Sequence, residues 1–186
     1  MPPKVKLSRE DIIDTAISII RGSGASALNA RTIAAALNCS TQPVFSNFAT
    51  MEELRIAALE KANEICCDYL NREIESGAYP TYKASGMGYI RFAKEEKELF
   101  KFLYMRDRSE KNDVKDLKFG QEIETIVQDS TGLETSQMKV FHLEMWAYVH
   151  GIATMFATDF VNLDWELVSR MLTDAYLGMR KQYGME

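Results

Sequence analysis

The chain has few of the residues that staple or interrupt structure: three cysteines, four prolines and two histidines in 186 residues. Cys39, Cys66 and Cys67 form no CxxC pair and have no histidine at finger spacing. They argue against a disulfide framework or a structural zinc and fit a reducing cytoplasm. Their simplest role is that of small apolar residues on helices. No uninterrupted apolar run approaches the ~18 residues of a membrane span. Met1-Pro2-Pro3-Lys4-Val5-Lys6 leads into a charged, periodic segment rather than the apolar centre of a secretion signal. No segment alternates apolar and polar residues for long enough to suggest a paired strand.

What is present is ordinary for a globular chain, with 46% apolar and 26% charged residues. That composition excludes disorder and suffices for a core, in one compact domain or two small ones. The formal charge of −5 is unevenly spread. Residues 1–50 carry five bases (Lys4, Lys6, Arg9, Arg21, Arg31) against three acids (Glu10, Asp11, Asp14), a balance of +2 that leaves −7 for the rest. A locally basic end is all that a short DNA-reading module requires, because phosphate attraction is screened within about 10 Å. A chance fluctuation of two charges is the plain alternative.

Helical periodicity runs through almost the whole chain, which makes the fold all-α with about nine helices. The first helix is expected over about Ser8 to Arg21. Ser8 with Asp11 three residues on has capping-box form, Ile12, Ile13, Ala16, Ile19 and Ile20 make one stripe, and Gly22 and Gly24 end it. Asn29 caps a second, short helix with Ile33, Ala34 and Leu37 inward. Asn38 stands where a chain leaving a helix needs a left-handed residue, and Ser40 is expected to cap a third helix.

Two short helices joined by a tight turn at Asn38-Cys39 give Asn29 to Phe48 the proportions of a helix-turn-helix. In the second of them, Val44 and Phe48 face inward. Thr41, Gln42, Ser46 and Asn47 project outward with no charge among them. Such a face suits a DNA groove: a glutamine makes two bonds to adenine, and a helix N-terminus favours phosphate. A solvated helix in an ordinary bundle has the same bare pattern.

From Ile12 through Leu54 the chain resembles the N-terminal domain of the tetracycline-repressor (TetR) family of bacterial transcription regulators. Ala16, Gly24, Asn29, Ile33-Ala34, Ser40, Phe45, Phe48 and Glu53-Leu54 stand at that family's spacing. Trp146-Ala147-Tyr148-Val149-His150-Gly151 is similar to the Trp-His-Gly signature in the C-terminal domain of one TetR subgroup. The resemblance implies a sequence-specific regulator, a dimeric repressor released from a palindromic operator by a small-molecule effector. It implies a helix-turn-helix DNA-binding domain at 1–50 and a helical ligand-binding and dimerisation domain at 51–186. Ser40, Thr41, Gln42, Pro43, Phe45, Ser46 and Asn47 are then the base and backbone contacts. The chain departs from the family at Phe45, where a tyrosine is usual, at Asn47, where a histidine is usual, and at Met51, where a lysine opens helix four. Phosphate contacts are therefore expected from Lys4 and Lys6 in an N-terminal arm, from Arg31 and Thr50, and from the amides opening helix four.

Helix four is expected from Thr50, whose Thr50-Met51-Glu52-Glu53 has capping-box form, towards Ile74. At 1.5 Å per residue, about 25 residues span roughly 38 Å, enough to join a DNA head to a separate body. Gly77 to Pro80 breaks the chain. Beyond it, aromatic and sulfur side chains crowd together, and most of them must be core. Ten methionines suit irregular packing or a cavity that accepts ligands of several shapes. The resemblance favours a pocket for an apolar effector, with Tyr89, Phe92, Phe102 and Met105 as candidate lining. Phe141, Met145, Trp146 and His150 are candidates from the later half. Asp107 to Asp113 reads as a solvated loop.

A long helix is expected over about Thr135 to Thr158, with a strip of small residues at Ala147, Gly151, Thr154 and Thr158. The terminal helix, about Asp164 to Gln182, offers Leu167, Met171 and Ala175 at similar spacing. These faces make a two-fold four-helix seam or pack within one chain, and the resemblance implies the homodimer. His142, Trp146 and His150 share a helical face, but no HExxH occurs and Glu144 sits on another face. No catalytic residue, metal or cofactor is expected. His150 is expected to hydrogen-bond inside the body or to touch the ligand. The partners are then a double-stranded DNA operator, an apolar effector and a second copy, with no membrane. One competing function is a helical carrier or sensor of an apolar ligand that has lost DNA binding, which Phe45 and Met51 favour. The other is a small helical enzyme using His142 or His150, for which the sequence suggests no substrate.

Overall fold

The computed structural model describes residues 7–105 and 119–185, without the side chains of 119–122. Lys4, Lys6 and the segment from Asp107 to Asp113 lie outside the described residues. Regular structure within them is helical. It comprises α1 (Arg9–Ser23), a 3-10 turn (Ala25–Ala27), α2 (Ala30–Ala36), α3 (Gln42–Asn47), α4 (Met51–Glu75) and α5 (Thr81–Glu95). There follow α6 (Lys97–Tyr104), α7 (Phe119–Thr131), α8 (Thr135–Ala157) and α9 (Trp165–Gln182). None of the described helices is long and apolar enough to cross a membrane.

Local chemistry sets most helix starts. Ser8 Oγ accepts from the Asp11 amide at 3.0 Å, and the Asp11 carboxylate accepts from the Ser8 amide at 2.8 Å. Bonds from the Ser8 hydroxyl and amide hold the Asp11 carboxyl below its usual pKa. Asn29 Oδ1 accepts from the Arg31 and Thr32 amides, and Thr50 Oγ1 accepts from the Glu53 amide at 3.1 Å. Asp164 caps α9 through the Glu166 amide. α1 stops at Gly24 (φ 76°), and Asn38 (φ 50°) turns the chain out of α2 in the left-handed region that asparagine tolerates. The start of α3 differs from expectation. Ser40 does not cap it; Thr41 precedes it in helical backbone (φ −71°, ψ −12°) and makes no side-chain cap. Pro43 explains this, because its missing N–H removes one of the amides that a capping hydroxyl there would accept from.

Packing divides the described chain into two units. The first takes residues 7–64 and 98–105, that is α1 to α3, the first half of α4, and α6. Ile12, Ile20, Ile33, Val44, Phe48 and Leu54 are buried in it. On α6, Leu99, Phe100, Phe102 and Leu103 are also buried, and the Arg55 guanidinium lies 5.3 Å over the Phe102 ring. The compact unit that holds the helix-turn-helix thus extends beyond residues 1–50, because α4 and α6 contribute apolar side chains to it.

The second unit takes residues 65–97 and 119–185. In it α5 packs along α8, whose Met138, Phe141, Met145, Val149, Ile152 and Phe156 recur at steps of three and four and are buried. Gly88 brings α5 against the second half of α4: a Cβ there would stand 2.7 Å from Leu70 Cα and from the Tyr69 carbonyl oxygen. Val127, Met138, Phe141 and Met145 form a cluster, with Tyr176 and Tyr183 edge-on to Phe141. Glu73, nearly buried, pairs with Arg91, whose guanidinium lies 4.4 Å over the Trp165 ring.

Candidate functional site

The six-residue α3 has one buried edge, formed by Val44 with Phe48 just beyond it. Gln42, Phe45 and Ser46 lie on the opposite face, and Phe45 is 51% exposed. Two of the four polar residues expected to face outward turn back on their own helix. Ser46 Oγ donates to the Gln42 carbonyl at 2.9 Å, and Asn47 Nδ2 donates to the Pro43 carbonyl at 2.8 Å. Thr41 and Pro43 are half-buried and Ser40 is exposed.

This face is fixed by a contact that sequence spacing does not show. Arg9 Nη1 donates to the Asn47 carbonyl and to Glu53 Oε1, both at 2.8 Å, and its guanidinium lies 4.0 Å over the Phe48 ring. Glu53 Oε2 accepts from the Ala49 amide at 2.7 Å. That amide, then Arg9, holds the Glu53 carboxyl below its usual pKa. One guanidinium therefore ties the start of α1 to the end of α3 and the first turn of α4. Only the position of Arg9, directly after the α1 cap, hinted at a structural task. Among the phosphate candidates, Arg31 and Thr50 are exposed, and Thr50 is also the α4 cap.

The expected ligand residues fall in both units. Phe102 is buried and Met105 is 47% exposed in the first. In the second, Tyr89, Phe92, Phe141 and Met145 are core side chains. Tyr89 Oη is 2.8 Å from His150 Nδ1, and Trp146 stacks on the His150 ring with centroids 4.8 Å apart. A parallel pair joins Tyr82 Oη to His142 Nδ1 at 3.0 Å. Burial lowers the His142 pKa, opposed by Glu124, and burial pushes the Tyr82 hydroxyl well up, so both are neutral near pH 7. Next to this pair runs an open groove of about 430 Å³ lined by Glu124, Met138, Lys139, His142, Leu143 and Trp146. Of the eight expected ligand residues only Trp146 lines it. Leu143, 61% exposed, was legible as an apolar residue one helical step from Ala147.

Of the residues expected at a dimer seam, Ala147 and Thr158 are exposed, while Gly151, Thr154, Leu167 and Met171 are half-buried. Ala175 packs on the internal cluster around Phe141. The outer face of α8 also shows Val140 and Met155, and that of α9 shows Leu177. A Cβ added at Gly151 or Gly178 meets nothing within 4 Å. No three histidine, cysteine or acidic residues gather as a metal site among the described residues.

No protein-family profile matches the chain, and no curated protein matches it in sequence. Solved structures match over nearly the full length. A protein of unknown function from Rhodococcus sp. RHA1 aligns with a TM-score of 0.77 at 20% identity, covering 96% of this chain and 98% of that one. A TetR-like transcriptional regulator from the same organism aligns with a TM-score of 0.68 at 15% identity, covering 99% and 100%. The multidrug binding protein EbrR in complex with malachite green aligns at 0.63 and 19% identity, covering 93% and 98%. The chain therefore has the fold of TetR-like regulators.

Proposed function

We propose that the protein is a TetR-family regulator, of the subgroup suggested by Trp146, His150 and Gly151, that binds a palindromic operator as a homodimer and represses from it. The observation that carries this is the outward face of α3, uncharged and held in place by Arg9 within a TetR-like fold. A helix presented in this way suits the major groove. Phosphate contacts then come from Arg31, Thr50, the first amides of α4, and Lys4 and Lys6.

The dimer is supported by the outer faces of α8 and α9. Val140, Leu143, Ala147 and Met155 on α8, and Leu177 on α9, expose apolar surface around Gly151 and Gly178. A glycine inside a helix costs about 1 kcal/mol relative to alanine. Nothing among the described residues packs close enough to Gly151 to require it, whereas a second helix approaching closely would. For the effector, the groove beside Trp146 offers an indole face, a thioether, and the His142 ring with Nδ1 already engaged by Tyr82. EbrR, which shares the fold, was solved with malachite green, and an apolar effector suits the groove of this chain.

The test is selection of bound fragments from a sheared genomic library, followed by titration of the recovered site at two salt concentrations. The expected result is a palindrome with half-sites about 10 base pairs apart. Its affinity should fall by roughly 10³-fold between about 50 and 200 mM salt if about six phosphates are neutralised. No enriched sequence, with only weak salt-erased binding, sinks the regulator and leaves the carrier that Phe45 and Met51 favour.

A further inference from the structure

The outward face of α3 is small enough to inventory atom by atom. The Ser46 hydroxyl gives its proton, and the Asn47 amide one of its two, to the helix's own carbonyls, so the Ser46 oxygen is left only to accept and Asn47 is tied back on a half-buried side chain. No lysine or arginine stands between Gln42 and Asn47, so this helix brings no positive side chain to a phosphate. The exposed side chains with no bond to their own helix are the Gln42 amide and, one turn on at i+3, the Phe45 ring with half its surface in water. Val44 and Phe48 complete the core on the other side, so Phe45 has no packing task there.

We infer that Phe45 fixes the operator sequence by seating its ring against the 5-methyl group of a thymine in the major groove, beside an adenine read by Gln42. This rests on α3 entering the major groove as proposed above. The four base pairs display donors and acceptors there, and the thymine methyl is the one apolar group. A phenyl ring laid on any other edge strips water from a polar atom without replacing its hydrogen bond. The ring also lacks the hydroxyl needed to bond a phosphate oxygen, so base contact is its productive use. Side chains at i and i+3 have Cβ atoms about 5–6 Å apart. Successive bases on one strand are about 3.4 Å apart, so Gln42 and Phe45 address the same or neighbouring base pairs. A glutamine that bonds adenine N6 and N7 and a ring that covers a thymine methyl therefore select an A·T-containing step in each half-site.

The experiment replaces each thymine of the selected operator, one at a time, by deoxyuridine, which removes the methyl and leaves base pairing intact. Binding to full-length wild type and to Phe45→Ala is then measured. One thymine per half-site should weaken wild-type binding by about fourfold when replaced, and by about 15-fold when both half-sites are changed, the loss expected for one buried methyl each. Phe45→Ala, altered only at an exposed ring, should bind the thymine and deoxyuridine operators equally, closing the double-mutant cycle. If an operator is recovered but every replacement is silent, or if the sensitivity persists in Phe45→Ala, this inference falls while DNA reading by α3 stands. If no operator is recovered, both fall together.

Discussion

Arg9 lies 38 residues from Asn47 and 44 from Glu53, yet its guanidinium is bonded to both and covers the Phe48 ring. A single long side chain is thus the brace of α3, and its partner carboxylate makes the brace acid-sensitive. The Glu53 carboxyl has its pKa lowered in the folded protein from an ordinary value near 4.5. Below that ordinary value the unfolded chain takes up a proton that the folded one does not. The stability contributed by Glu53 is therefore complete above about pH 4.5 and lost as the pH falls through the lowered folded value. Glu53→Gln should lower the melting temperature by a few degrees at pH 7 and flatten the acid limb of a melting-temperature profile below about pH 4.5. An acid limb identical to that of wild type removes this account. Arg9→Ala should weaken operator binding at pH 7 without loss of helical content, because α3 remains formed but its last carbonyl loses its anchor.

At the scale of elements, close approach decides more than burial area. α5 reaches α4 through Gly88, where a methyl would overlap Leu70 Cα and the Tyr69 carbonyl oxygen. Backbone atoms cannot rotate aside, so Gly88→Ala should cost about 1–3 kcal/mol, read as a drop in melting temperature. An unchanged melting temperature would show that the helices slide apart freely. In the sequence Gly88 reads only as a weak point in a helix, since its partner lies 18 positions upstream. The starts of α1, α2 and α4 were legible because a cap and its amide are separated by two or three residues. α3 was misplaced by the local effect of Pro43. The face of α3 was legible as periodicity, but the turning inward of Ser46 and Asn47 was not, because a hydroxyl and an amide satisfy their own helix as readily as a base. His142 and Trp146 were legible on one face of α8, whereas Glu124 was not, because it comes from a different helix.

For the whole molecule, the proposed dimer has a direct test in Gly151. The space beside it is open among the described residues, so Gly151→Leu should leave the fold and its melting temperature intact while blocking a second helix. Sedimentation should then report a monomer, with operator affinity down by two orders of magnitude or more, since each half-site is read alone. A variant that stays dimeric and binds normally moves the seam elsewhere. The division into two packing units carries a further consequence, for the order in which the protein assembles as it is made. The unit that holds the helix-turn-helix is not continuous in the chain: α6 belongs to it but follows α5, which belongs to the other. When residue 64 emerges from the ribosome, Leu99, Phe100, Phe102 and Leu103 have not yet emerged. At about 5–20 residues per second, the roughly 40 residues to the end of α6 take about 2–8 s. Until then the helix-turn-helix lacks the apolar side chains of α6 that pack in the same unit.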